Sequence, residues 1–144
     1  NRDAYWLRNL GQPETRVIEV QPLPEGLSML TAYDRNAVDS PRIARHLPAF
    51  QAAPPPNPDP DDPAGGDWAA WQDILARSAP GSEAAMTVEH GRFQTVSSSL
   101  LALPAPTDNP SEPPPRPVWL FAPGRPDRHA YSLLTGLSTA LDEA

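Results

Sequence analysis

The alternation of apolar and polar residues predicts a β-hairpin at the start of the chain. Residues 3–8 and 15–21 are short runs of strand-forming residues, and the loop between them contains a glycine and a proline. In the second run Ile18 and Val20 share one apolar face, which is the pattern of a half-buried strand. The same alternation predicts a third strand over residues 27–32.

A first helix is predicted over residues 39–50. Ser40 suits the capping position, and Pro41 suits the first helical position, where a missing N–H costs no hydrogen bond. Pro48 is expected to end this helix after about two turns, because proline cannot donate its backbone bond.

A second helix is predicted over residues 68–78, with Asp67 as its capping residue. Trp68, Trp71 and Leu75 recur at helical spacing, so both indole rings should face the same surface. Core packing of these rings is favoured over a platform on which a ligand stacks.

The remainder of the chain is rich in strand-forming residues separated by turns. Four strands are predicted there, over residues 84–89, 91–104, 116–122 and 129–134. About seven strands and two helices in this order predict an α+β fold with mostly antiparallel sheets. The length suits a single domain over residues 1–144. Two proline-rich loops, 51–66 and 104–117, should hold no regular element, because proline removes backbone donors.

The composition excludes several classes of partner. Eleven arginines and no lysine stand against eighteen carboxylates, and the net charge of −7 argues against nucleic acid and anionic membranes. There is no cysteine, and the three histidines are too scattered to predict a metal site. No apolar run approaches the roughly 20 residues of a membrane helix, so a cytoplasmic location is expected. The residues identify no cofactor and no catalytic group.

The hydroxyl residues of the predicted strand 91–104 form the first candidate site. Thr95, Ser97 and Ser99 should point to one face, and Val96 and Ser98 to the other. The favoured interpretation is a face of small residues packed against a helix, with the hydroxyl groups bonded to backbone carbonyls. The alternative is a pocket lined with hydroxyl groups at the open end of the strand.

The polar segment 31–42, which contains Thr31 and Asp34, is the second candidate. It joins a predicted strand to the start of a helix, where free N–H groups could bind an anion. Its charged residues could instead form surface ion pairs, each worth less than about 1 kcal/mol, and this alternative is favoured. A Pro-x-x-Pro spacing within residues 110–119 is typical of polyproline ligands, but a proline-biased loop is favoured.

Two stretches resemble the NRDE family, also called the transport and Golgi organisation protein 2 family. PLPEGLSMLTAYD followed by DSPRIARHLPAF resembles its segment plp-G-x-x-x-LSN-x-x-Ld-x-x-W-x-K. GRFQTVSSSLLALPA followed by RPVWLFAPGRPD resembles its later hairpin with the motif YGTRSST. From that motif only Thr95, Ser97 and Ser98 carry over, since the family's arginine is Val96 here. The asparagine of LSN is Ala32, and the family's N-terminal cysteine has no counterpart in this chain.

The resemblance implies an αββα sandwich like that of N-terminal-nucleophile hydrolases, with this chain as its C-terminal half. The chain would then need an N-terminal half that is not present here, and Thr95, Ser97 and Ser98 would line one side of a pocket. Thr31 and Asp34 of the segment 31–42 are the other ligand-binding candidates. The implied ligand is a small or lipid-like molecule, either haem or an acyl thioester. The alternatives are an amide or thioester hydrolase whose nucleophile lies outside this chain, and a proline-rich interaction module.

Overall fold

Residues 3–9, 11, 18–105 and 116–135 are described by the computed structural model. They contain two helices and several small antiparallel sheets, so the predicted α+β class is confirmed. In chain order the elements are β1 (Tyr5–Asn9), β2 (Ile18–Pro22), α1 (Pro41–Ala52), β3 (Asn57–Pro58), β4 (Gly66–Asp67), α2 (Ala69–Leu75), β5 (Glu89–His90), β6 (Phe93–Gln94), β7 (Ser98–Ala102), β8 (Val118–Ala122) and β9 (Ser132–Leu133). The sheets have two or three strands each. The sandwich implied by the resemblance therefore stays a prediction.

The predicted hairpin at the start of the chain is confirmed. Strands β1 and β2 pair antiparallel. The expected half-buried face is wrong, because Ile18 and Val20 are 57% and 58% exposed. Arg8 on the other face binds Glu19 within the hairpin at 2.6 Å and also pairs with Asp34, which attaches the hairpin to the segment that follows it.

The predicted third strand over residues 27–32 does not form: residues 27–30 have no regular structure, and bends follow from Thr31. Asn36 explains this difference. Its side-chain Oδ1 accepts from the backbone N–H of Met29 at 2.7 Å, and its own N–H donates to the Met29 carbonyl at 2.9 Å. Asn36 thus supplies hydrogen-bond partners for both the N–H and the carbonyl of Met29. Pairing of Met29 with a neighbouring strand is therefore not required.

Helix α1 begins as predicted, with Ser40 accepting from the N–H of Ile43 and Pro41 in the first turn. The expected end at Pro48 is wrong, because the helix continues to Ala52. Its last turn packs against α2 through an edge-to-face contact between the rings of Phe50 and Trp71, whose centroids are 5.1 Å apart. This contact helps to offset the cost of the interior proline, which is about 3 kcal/mol.

The core lies between α2 and the sheet β7–β8–β9. Trp68, Leu100, Val118 and Leu120 are buried together there, as the helical spacing of Trp68 indicates. Helix α2 ends at Leu75, three residues before its predicted end. Within the described ranges, α1 and α2 both lack the length and apolar character that crossing a lipid bilayer requires.

The proline-rich loop 51–66 is more ordered than the composition predicts. Its first residues complete α1, and β3 pairs with β4 across the loop. Gly66 has φ +92°, and a Cβ on it would lie 2.2 Å from the carbonyl oxygen of Asn57. The carbonyl of Gly65 accepts from the indole N–H of Trp68 at 2.8 Å, so the loop is bonded to the core.

Two sequence predictions fall largely outside the described residues. Residues 106–115 of the loop 104–117 lie outside them, as does most of the Pro-x-x-Pro segment 110–119. The predicted strand 91–104 is divided, because β6 ends at Gln94 and β7 begins at Ser98.

Candidate functional site

A half-open cavity of about 450 Å³ lies beside the start of α1. The segment around Thr31 and Tyr33 forms one wall, the turn containing Glu83 forms another, and the hairpin β5–β6 forms a third. Small-molecule sites in proteins commonly have volumes of about 300–1,000 Å³, so the cavity is large enough for a drug-sized ligand.

The wall next to α1 is held by two side chains of that helix. Arg42 donates from Nε to the carbonyl of Ala85 at 2.6 Å, and His46 Nε2 lies 2.8 Å from the carbonyl of Ala84. Arg42 and His46 are four residues apart, so they lie on the same face of the helix. Together they fix the segment that precedes β5 against α1.

His46 is almost completely buried, at 1% exposure. Since a carbonyl oxygen can only accept, Nε2 carries the proton and donates to Ala84. Nδ1 is buried and has no partner among the described residues. Burial lowers the pKa of His46, and the charges of nearby arginines lower it further. The neutral imidazole is therefore the form that suits this position.

The wall formed by β5 is held by a cluster of charges. Arg125, whose side chain is 7% exposed, donates to Asp127 at 2.7 and 3.0 Å and also pairs with Glu89. Arg128 reaches the same carboxylate of Glu89 at 3.3 Å. The hydrogen bond from Arg125 lowers the pKa of Glu89 and that of Asp127. Glu89 is therefore held as a carboxylate and does not suit the role of a proton donor near neutral pH.

The remaining lining residues combine apolar rings with charges of both signs. Tyr33 is 48% exposed and Phe93 is 73% exposed, so both rings are accessible to a ligand. Arg42 and Glu83 also line the cavity, and neither has an ion-pair partner in the part of the chain that the structure describes. His90 adds an exposed imidazole. Such a lining suits an amphipathic molecule.

Of the two predicted site residues in the segment 31–42, only Thr31 lines this cavity. Its hydroxyl oxygen accepts from the N–H of Tyr33 at 3.1 Å, which shapes the wall. Asp34 is exposed and pairs with Arg8, so it joins the hairpin β1–β2 to this segment. That placement agrees with the ion-pair alternative for Asp34.

The three predicted hydroxyl residues lie beyond β6 and do not line this cavity. The hydroxyl of Thr95 accepts from the N–H of Val88 at 3.0 Å, which fixes the base of the hairpin β5–β6. Ser97 is exposed. The hydroxyl of Ser98 lies 2.6 Å from that of Tyr131, a residue packed against the core. These hydroxyl groups thus lie in three different environments.

The candidate segment 31–42 supplies part of the lining, including Tyr33 and Arg42, but sequence reasoning missed the lining residues outside it, including Glu83, His90 and Phe93. One signal was available, because Tyr33 and Phe93 are single aromatic residues within polar stretches. The contacts that assemble the cavity had no such signal, since Arg42 and its partner Ala85 are 43 residues apart.

The described ranges contain no cluster of three or more histidine and carboxylate side chains arranged to hold a metal ion. The fold and the site together define an α+β protein with a half-open cavity beside its first helix. No family model, no curated protein and no solved structure matches the chain.

Proposed function

We propose that this protein binds a small amphipathic ligand in the cavity beside α1. The observation that carries the proposal is the lining itself: two accessible aromatic rings beside a guanidinium and a carboxylate that lack ion-pair partners within the described residues. Accessible rings favour a ligand with an apolar body, and the charged groups favour polar substituents at its ends.

Haem suits this lining better than an acyl-coenzyme A thioester does, and both ligands are implied by the resemblance to the NRDE family. Histidine and tyrosine are side chains that ligate haem iron, and His90 and Tyr33 both line the cavity. Arg42 at the start of α1 would bind a haem carboxylate. Coenzyme A carries several phosphate charges and haem only two carboxylates, so coenzyme A would be repelled more strongly by Glu83, Glu89 and the net negative charge of the chain.

An absorption titration with haemin tests this proposal. We expect saturable binding to the purified protein, weakened by about tenfold or more in His90→Ala, a loss of about 1.4 kcal/mol. His129→Ala is the matched control, because His129 is exposed and does not line the cavity. Equal weakening in both variants, or no saturable binding by the unchanged protein, would contradict the haem assignment.

Isothermal titration with a long-chain acyl-coenzyme A distinguishes the second ligand. Binding of the thioester without binding of haemin would keep the cavity as the site and change the ligand class. If neither molecule binds, the proposal is overturned. Hydrolysis with Ser98 as nucleophile has less support, because its hydroxyl is bonded to Tyr131, and burial raises the pKa of that phenol, which keeps it protonated and unable to accept a proton from the serine near neutral pH. The alternative of a hydrolase whose nucleophile lies outside this chain stays a prediction.

A further inference from the structure

The segment that follows α1 is an ordered stretch of proline-rich backbone, residues 53–58, which we call the proline ridge. Each proline fixes φ near −65°, and each residue before a proline is excluded from the helical region. Four of the six residues precede a proline, as the sequence Ala-Pro-Pro-Pro-Asn-Pro-Asp-Pro shows. Ala53 has φ −75° and ψ 144°, which are the angles of a polyproline II helix.

Exposure along the proline ridge follows the three-residue turn of that helix. Ala53 and Pro56 are half-buried, whereas Pro54, Pro55 and Pro58 are exposed. In a polyproline II helix, residues three apart share an edge. The edge that contains Ala53 and Pro56 therefore faces the protein, and the other two edges are open to solvent.

Both ends of the proline ridge are fixed by backbone hydrogen bonds. At one end the N–H of Ala53 donates to the carbonyl of Ala49 in α1 at 3.0 Å. At the other end β3 pairs with β4, and the N–H of Asp59 donates to the carbonyl of Gly65 at 3.0 Å. A partner would therefore bind an extended segment that is already ordered, which reduces the entropy lost on association.

The charges beside the proline ridge restrict the kind of partner. Residues 51–67 contain carboxylates and no basic residue. Of these carboxylates, Asp61 is paired with Arg116, whereas Asp59 has no ion-pair partner in the described ranges. These carboxylates would repel a binding groove with an acidic rim and would attract one with a basic rim.

We propose that the proline ridge is a docking surface for a protein domain with an aromatic-lined polyproline groove and a basic rim. Pro54 and Pro55 are exposed on the two open edges, ahead of β3, and would occupy that groove. This surface is separate from the ligand cavity, which the proline ridge does not line.

Nuclear magnetic resonance titration tests the proposal with isotope-labelled SH3, WW and EVH1 domains, chosen with basic rims, as probes. Unlabelled full chain should shift the aromatic resonances of the groove in at least one of them. We expect Pro54→Ala/Pro55→Ala to weaken that binding by about tenfold or more. Pro63→Ala is the matched control, because Pro63 is an exposed proline of the same loop outside the ridge.

Three outcomes would overturn the proposal. They are no shift in any of the three domains, equal weakening by Pro63→Ala, and binding that is unchanged between low and high salt, since a basic rim requires salt sensitivity. Circular dichroism of each variant separates loss of the surface from loss of the fold. His90→Ala should leave this binding unchanged, so failure of the ligand proposal and failure of this one are distinguishable.

Discussion

Replacing Gly66 by alanine tests whether close backbone contact, and not backbone angle alone, requires glycine in the proline-rich loop. A Cβ at this position would lie 2.2 Å from the carbonyl oxygen of Asn57 and 2.5 Å from the nitrogen of Asp59. Both are backbone atoms, so they cannot move aside without disturbing the pairing of β3 with β4.

Gly26 provides the matched control, because it has the same φ of +92° and a Cβ on it would meet nothing within 4 Å. Gly26→Ala should therefore cost only the strain of a left-handed residue, about 1–2 kcal/mol. Gly66→Ala adds steric overlap of about 1–3 kcal/mol. We expect the second variant to be less stable than the first by about that overlap energy.

Urea denaturation followed by tryptophan fluorescence measures both free energies of unfolding. Trp68 is a suitable reporter, because its indole donates to the carbonyl of Gly65, the residue next to the substitution. The steric reasoning would be refuted if the two variants lost the same stability, or if Gly26→Ala were the less stable of the two.

Three further predictions concern hydrogen-bonded and charged groups. Because the pKa of His46 is lowered from 6.5, the unfolded chain binds a proton below that pH that the folded chain does not, so the free energy of unfolding should fall as the pH drops below about 6.5. Urea midpoints across this range should depend less on pH in His46→Gln, and equal slopes would contradict the assignment. Arg125 lowers the pKa of Glu89 from 4.5, so the stability from this pair is complete above that value and is lost as the pH falls through the lower folded pKa. Nuclear magnetic resonance of the carboxyl groups should show a higher pKa for Glu89 in Arg125→Gln, and an unchanged pKa would contradict the role of Arg125. Ser98→Ala and Tyr131→Phe should show a coupling energy of about 1 kcal/mol in a double-mutant cycle, whereas strictly additive losses would show that their 2.6 Å contact contributes nothing.

Local patterns were sufficient for the features of the fold that depend on neighbouring residues. The hairpin β1–β2, the Ser40–Pro41 start of α1 and the burial of Trp68 all followed from patterns within short stretches of the sequence. The continuation of α1 past Pro48 did not, because it is accompanied by a ring contact with α2 on a different segment. The preference of proline for helix ends is a local property and does not take that contact into account.

The candidate site was predicted less well than the fold, for a related reason. The patterns marked the hydroxyl groups of one strand and the segment 31–42, whereas the cavity is built by side chains from four separate segments, of which the segment 31–42 supplies two. The hydrogen bonds of Asn36 with Met29 take the place of the predicted strand 27–32, which changes where Thr31 and Asp34 lie. The contact of Arg42 with Ala85 and that of His46 with Ala84 span about forty residues and leave no periodic signal.

The bonds from Arg42 and His46 to consecutive carbonyls make the cavity and α1 thermodynamically linked. A molecule that enters the cavity binds only the folded arrangement, so at a hundred times its dissociation constant it would raise the free energy of unfolding by about 2.7 kcal/mol. Melting temperature is consequently a readout of occupancy, and a thermal-shift screen of small molecules can identify the ligand without any assay of activity.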